Sequence, residues 1–436
     1  MHSRFLSLSL SATLDFGLAF YYITNRRKAK HHEDTMPITG FPMDLFNQYG
    51  TGSMPKEVWL GPIFDPHLHG RGPEDGRLHM ILEDCIHHYS AACFMGNDGA
   101  INTAEKARGR IASIKAMIPK QCNMQVLCAP VINDTSDAAE IIAGFDAPYE
   151  DRVVHAVKIF FRGVSLDLGN SVSNVQNIAK LIKLSTGPFN YAEHHLPITL
   201  HAERKRDRDG NELNMEDREY YCVTTDVIDI LAINPRATII LRHVSDVRTI
   251  DLVKKLRGEG ADIHVEICPQ YLMMTTSRLF EDNDGGTTFQ AHCLCWPLYK
   301  GEDSRKALVE LALSGEEWVH FGSDRAVHLD NIKASRGVKV TYDGEVCGGL
   351  TFPTKAAVSS VISLFARRDK LHSLSAFMGT NGAKVYGVTL PSTRTLFEYH
   401  RFTMPDYMHG FDASGNRVRA RTFLAGRSFE YQLVLI

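Results

Sequence analysis

Residues 63–71 read IFDPHLHGR: two apolar residues, an acid and a proline, then His67 and His69 one residue apart, a glycine and Arg71. The residues upstream, from Val58, have the apolar character of a buried strand, so two imidazoles and a guanidinium stand where that strand ends. Histidines at i and i+2 of a strand project to the same side, which lets His67 and His69 converge on one ion. Two solvated loop histidines would read the same way. The rest of the chain decides between these readings.

The pattern of an apolar run ending in polar residues recurs along the sequence. After VWLGPIFDPHLH (58–69) come AACFMGN (91–97), MQVLCAP (124–130), VVHAVKIFF (153–161), PITLHAE (197–203), TIILRHVS (238–245), IHVEICPQ (263–270) and WVHFGSD (318–324). Helical periodicity falls between them. In 173–185, Ser173 is placed to cap a helix whose Val175, Ile178, Ala179 and Ile182 share one face, and 304–314 is a second helix stopped by Gly315. The charged stretch 203–221 is expected to add helix near the end of its strand. Eight strands, each followed by helical sequence, predict an α/β fold, a (β/α)8 TIM-type barrel with its chemistry at the C-terminal ends of the strands. The expected divisions are an N-terminal extension over 1–55, the barrel over 56–390, and a C-terminal extension over 391–436 packing on it.

Those strand ends carry a consistent set of donors. His201, His243 and Asp324 each close an apolar run, where an unpaired polar side chain is costly. Lys158, between Val157 and Ile159, must be neutral, paired with an acid or chemically altered. A lysine that has taken up carbon dioxide becomes a carbamate able to bridge two metal ions; an ion pair with a neighbouring strand is the simpler alternative. With histidines on the adjoining strands, the bridge accounts for more of the pattern. A catalytic zinc site needs such nitrogen and oxygen donors and an open position.

Composition narrows the partners. With 436 residues, 44% hydrophobic, the chain can bury a large core, and 48 basic against 51 acidic side chains leave a net charge of −3 with no basic stripe for nucleic acid. Small-molecule chemistry fits better. Nine cysteines, an odd and scattered set without a CxxC pair, argue against a disulfide framework and for a reducing compartment, the cytoplasm. Cys293 and Cys295 share one face of an expected strand and read as core thiols. Residues 5–24 are long enough to span a membrane and NRRKAK follows, yet Asp15 and several serines interrupt the segment. An anchor, a transit peptide, and a dispensable stretch upstream of Met36 all remain open.

In order and over most of the chain, from about residue 58 onward, these motifs resemble the dihydroorotases of the single-domain bacterial type in the amidohydrolase superfamily. DPHLHGR is similar to that family's DWHLHLR, FMGN to its MPN, ICPQYLMM to its ITPQHLMF, CLCWPLYK to its LYCLPILK, GSDRAVH to its GTDSAPH, and TNGAKVYGVTLP to its VNGPQFYGLP. FLAG at 423–426 recurs near its end. The resemblance implies reversible cyclisation of N-carbamoyl-L-aspartate to L-dihydroorotate in pyrimidine synthesis, with a zinc-activated hydroxide in the opening direction. It implies two zinc ions: His67 and His69 on the first, His201 and His243 on the second, N6-carboxylated Lys158 bridging, and Asp324 completing the first shell and shuttling the proton. Arg71, Asn97 and His328 would hold the substrate carboxylate, and backbone near Trp296 and Phe352 would read the pyrimidine edge. A homodimer is implied in the same way.

The resemblance is incomplete at two segments. Where the family carries adjacent threonines that close on the substrate, this chain has RGVSLDLGNSVSN (162–174), whose hydroxyls are Ser165, Ser171 and Ser173, and the family's double proline after MPN is replaced by Asp98, Gly99 and Ala100. Metal binding is untouched by these changes, while substrate identity is less fixed. A hydantoinase or allantoinase would keep the metals without needing Arg71 and His328 for a carboxylate. A barrel retained only as a scaffold would be expected to have lost ligands.

Overall fold

A computed structural model of the chain describes residues 47–50, 52–71, 74–97, 99–164, 170–283, 286–329 and 350–434. The segment 5–24, Asp98, Ser165 and Cys347 lie outside the described residues. Among the described residues, no helix is long and apolar enough to cross a membrane.

The first expected strand is two. Gly61 and Pro62 separate β1 (Glu57–Leu60) from β2 (Phe64–His69), and only β2 enters the barrel. β2, β3 (Ala91–Met95) and β4 (Gln125–Ala129) pair in parallel. β5 (Val157–Phe160), β6 (Ile198–His201), β7 (Ile239–Leu241) and β8 (Ile263–Ile267) form a second parallel set. An antiparallel hairpin, β9 (Phe280–Asn283) and β10 (Gly286–Phe289), precedes β11 (Val319–Phe321), which pairs with β8. Two links join the sets. The parallel bridge Val131↔Lys158 connects the exit of β4 to β5, and β11 runs on through residues 322–324 into β12 (Arg325–Ala326), which pairs with β2. The ring of strand positions therefore closes, as the sequence predicts. Barrel strands buried on both faces read as near-continuous apolar runs, which is why they were visible in the sequence.

Helices differ more from expectation. Residues 173–185 form a 3-10 turn, Val175–Ile178, followed by an α-helix, Ala179–Leu184, and the cap is Asn174, whose Oδ1 accepts from Gln176 N at 2.9 Å, because Ser173 is bound elsewhere. The second expected helix runs Glu302–Ala312. The stretch 203–221 is not helical before Arg218. Asp207 accepts from the backbone N–H groups of Asp209 and Asn211 (2.9 and 2.8 Å), and Gly210 takes φ 88°, so a side-chain-closed turn replaces the helix. Cys293 and Cys295 are buried, as expected of core thiols, but not on a strand: Cys293 ends a 3-10 turn and Cys295 precedes the cis Trp296–Pro297 bond.

β13 (Thr395–Thr403), β14 (Tyr407–Phe411), β15 (Arg417–Arg421) and β16 (Ser428–Leu433) complete the chain. β1, β13 and β16 make a small antiparallel sheet against the helix Thr354–Arg367, held by Arg367 to Glu430 at 2.6 Å.

Candidate active site

The barrel strands and the segments that follow them bring six of the expected side chains into one group. His67 and His69 project from the same side of β2, and the Nε2 atoms lie 3.2 and 3.3 Å from a shared oxygen, Oδ1 of Asp324. Asp324 is pinned in turn, since its backbone N–H donates to His67 O at 3.0 Å and its φ is 49°. His243, two residues beyond β7, also has a left-handed φ, 39°. A non-glycine residue in that region costs about 1–2 kcal/mol and persists only where the surroundings impose it, here at two residues of one site. Lys158 Nζ is 3.5 Å from His67 Nε2. The ring of His243 lies 5.5 Å from that of His67 and 4.5 Å from that of His201, centroid to centroid.

The electrostatics suit a cation. Burial holds the imidazoles of His67 and His243 well below the ordinary histidine range, with Lys158 and, at His243, the neighbouring His201 adding to the effect, so both present neutral lone pairs. Nδ1 of His243 is buried without a hydrogen-bond partner among the described residues. Burial, then Arg242, lowers the Lys158 amine to about 8. Burial would raise the Asp324 carboxyl, but His67, His69 and Lys158 together hold it below its usual value. His67, His69 and Asp324 offer ligand atoms close enough for one ion. Imidazole and carboxylate donors of this kind fit zinc, with no thiolate required.

Several supporting residues lie outside the set expected from the sequence. Glu266 Oε1 is 2.6 Å from His67 Nδ1, and Glu203 Oε2 is 2.8 Å from His201 Nε2, which leaves Nε2 of His67 and Nδ1 of His201 for coordination. Asp65 accepts from the backbone N–H groups of His67 and Ser323, at 3.1 and 3.0 Å, tying β2 to the segment carrying Asp324. The signal was present: Glu266 interrupts an apolar run just as Lys158 does, and Glu203 follows His201 at i+2.

The expected substrate residues sit at the same barrel end. Arg71 is two residues past β2, Asn97 two past β3, and His328 two past β12. Asn97 Oδ1 is buried and unpartnered among the described residues. The backbone N–H of buried His328 donates to Thr351 Oγ1 at 3.0 Å, and the bridge Arg325↔Leu350 brings Phe352 alongside, its buried ring edge-on to Phe423. Trp296 is partly buried. In the altered loop, Ser173 is committed, donating through N and Oγ to Asp134 at 2.9 and 2.6 Å.

No family model matches the chain. A curated dihydroorotase of Halorhodospira halophila is 28% identical over 366 residues, 83% of this chain and 96% of that protein. Among solved structures, the Saccharomyces cerevisiae dihydroorotase in complex with 5-fluoroorotic acid superposes with a TM-score of 0.70 at 20% identity, covering 87% of this chain and 99% of that one. The L-hydantoinase of Arthrobacter aurescens gives 0.63 at 14% identity, over 86% and 83%. The fold is thus that of these dihydroorotase and hydantoinase structures, and the sequence is similar along most of its length to dihydroorotases.

Proposed function

We propose that this chain is a dihydroorotase, a cyclic-amide hydrolase that interconverts N-carbamoyl-L-aspartate and L-dihydroorotate on two zinc ions bridged by N6-carboxylated Lys158. The observation that carries the reading is the shared contact of His67 and His69 with Asp324 Oδ1, beside Lys158 and in ring contact with His243, which in turn meets His201. His67, His69 and Asp324 would hold one ion, His201 and His243 the other. Bound there, the metals supply Lewis acidity and lower the pKa of a water from 15.7 toward about 7.

The remaining steps belong to the chain's own side chains. Asp324, kept ionised by its neighbours, accepts a proton on its carboxylate when the ring amide is attacked and returns it to the departing nitrogen; in the closing direction it takes the proton from the ureido nitrogen. Arg71, with Asn97 and His328, binds the substrate carboxylate, for which a planar guanidinium is better suited than an ammonium. Backbone groups near Trp296 and Phe352 read the ring edge. Burial around the donors excludes bulk water and strengthens each of these interactions. A cytoplasmic homodimer is the form this reading expects.

The hydantoinase likeness favours a second reading, a cyclic-amide hydrolase of another specificity. Arg71 beside the HLH motif, and His328 at the same barrel end, argue for a carboxylated substrate. Purified, zinc-supplemented protein should open L-dihydroorotate, followed by the loss of its ultraviolet absorbance, and leave hydantoin and allantoin intact. Turnover of the latter pair alone would replace the proposal with the second reading.

A further inference from the structure

Glu266 lies outside the ligand set yet is fully buried against it. Oε1 faces His67 Nδ1 at 2.6 Å and the backbone N–H of His243 at 3.3 Å, while Oε2 accepts from Arg242 Nη1. Arg242 is itself fixed, donating to Pro66 O at 2.9 Å and to the Tyr386 hydroxyl at 2.5 Å. The carboxylate fits only because residue 322 lacks a side chain: a Cβ on Gly322 would stand 2.4 Å from Glu266 Cδ and 2.5 Å from Oε2.

This arrangement has a consequence for proton placement. A neutral imidazole carries one N–H, and two carboxylates compete for it, Glu266 at Nδ1 (2.6 Å) and Asp324 at Nε2 (3.2 Å). Arg242 donates and cannot accept, so Glu266 stays an acceptor toward His67. If Glu266 were displaced, Asp324 would draw the proton to Nε2 and the donor facing the centre would be lost.

We propose that Glu266, clamped between Arg242 and the bare α-carbon of Gly322, is a positioning residue that selects the Nδ1–H tautomer of His67 and thereby gives the metal centre its Nε2 donor. The inference rests on the metal-dependent reading of the site. The test is zinc titration of metal-stripped protein against a chromophoric chelator, with the visible spectrum of the cobalt-substituted form, for wild type, Glu266→Gln and Gly322→Ala. Both variants should lose about 10–100-fold in affinity at one of two sites, with an altered cobalt spectrum and unchanged circular dichroism. Nitrogen NMR of the His67 ring should show Nδ1 protonated in the wild-type apoprotein and a tautomer mixture in Glu266→Gln. Glu266→Gln leaves Arg242 charged without its partner and can unfold the chain. In that case Gly322→Ala, which keeps both charges, and the double variant Arg242→Met/Glu266→Gln, which removes both, decide the matter by the same affinity loss. Folded variants with wild-type zinc affinity and cobalt spectrum overturn this inference alone. A wild-type protein that takes up no zinc overturns it together with the proposed function.

Discussion

Asp324 Oδ1 stands 3.2 Å from His67 Nε2 while the Asp324 backbone N–H donates to the His67 carbonyl at 3.0 Å, so the residue expected to move the proton is braced by the strand that carries the histidines. Asparagine preserves that backbone contact and the size of the side chain but cannot take up a proton as the carboxylate does. Asp324→Asn should retain its metals and lose about 10²–10⁴-fold in kcat. Metal analysis alongside steady-state kinetics checks it; near-normal turnover would remove Asp324 from the proton-transfer role.

Lys158 combines full burial with an amine lowered to about 8, so near pH 8 about half of it is uncharged, against roughly 1 in 300 at the ordinary value of 10.5. Only the neutral amine adds carbon dioxide. Reconstitution of metal-stripped protein with zinc and bicarbonate should therefore be faster at pH 8 than at pH 6. Lys158→Ala should lose zinc and activity together and recover part of both with added short carboxylic acids. Wild-type zinc content in Lys158→Ala would refute the bridge.

The barrel and the side chains grouped at its mouth were legible for one physical reason. A parallel strand buried on both faces is written as an apolar run, and an ionisable residue ending such a run, as at His201 or Asp324, stands out against it. The split between β1 and β2 was hidden because Val58–Leu60 is as apolar as Ile63 and Phe64, and its partner β13 lies more than three hundred residues away in sequence. The turn at Asp207 is hidden because its charged neighbours also suit a helix, while the decisive contacts are hydrogen bonds from the backbone of Asp209 and Asn211. Glu266 shows in the sequence only as an acid within an apolar run, since its partners, Arg242 and His67, come from other strands.

Arg71 follows HLH at the mouth of the centre, where its proposed partner is a substrate carboxylate. A charge-assisted hydrogen bond of this kind contributes about 1.5–3 kcal/mol. Arg71→Met should raise KM by roughly 10–100-fold with a smaller effect on kcat, the signature of lost ground-state binding. An unaltered KM for L-dihydroorotate would exclude the role and favour a substrate without a carboxylate.

Glu219 provides a test of stability independent of turnover. Its carboxyl, buried on the helix Arg218–Cys222, accepts from Ser245 N (3.0 Å) and Oγ (2.5 Å) and from Asp246 N (3.2 Å). Burial nevertheless raises it from 4.5 to about 7, with Lys300 opposing the shift and Asp246 adding to it. Between these values the folded chain binds more protons at this position than the unfolded one, so the contribution is fully present below about pH 4.5 and is lost as pH rises through 7. The loss amounts to about 3 kcal/mol if no other group compensates. Glutamine mimics the protonated acid at every pH, so urea unfolding of Glu219→Gln, at fixed zinc, should lack this decline. Between pH 5 and pH 8 the variant should therefore gain stability relative to wild type. Parallel stability curves for the two proteins would show that Glu219 is ionised throughout and that its hydrogen bonds outweigh burial.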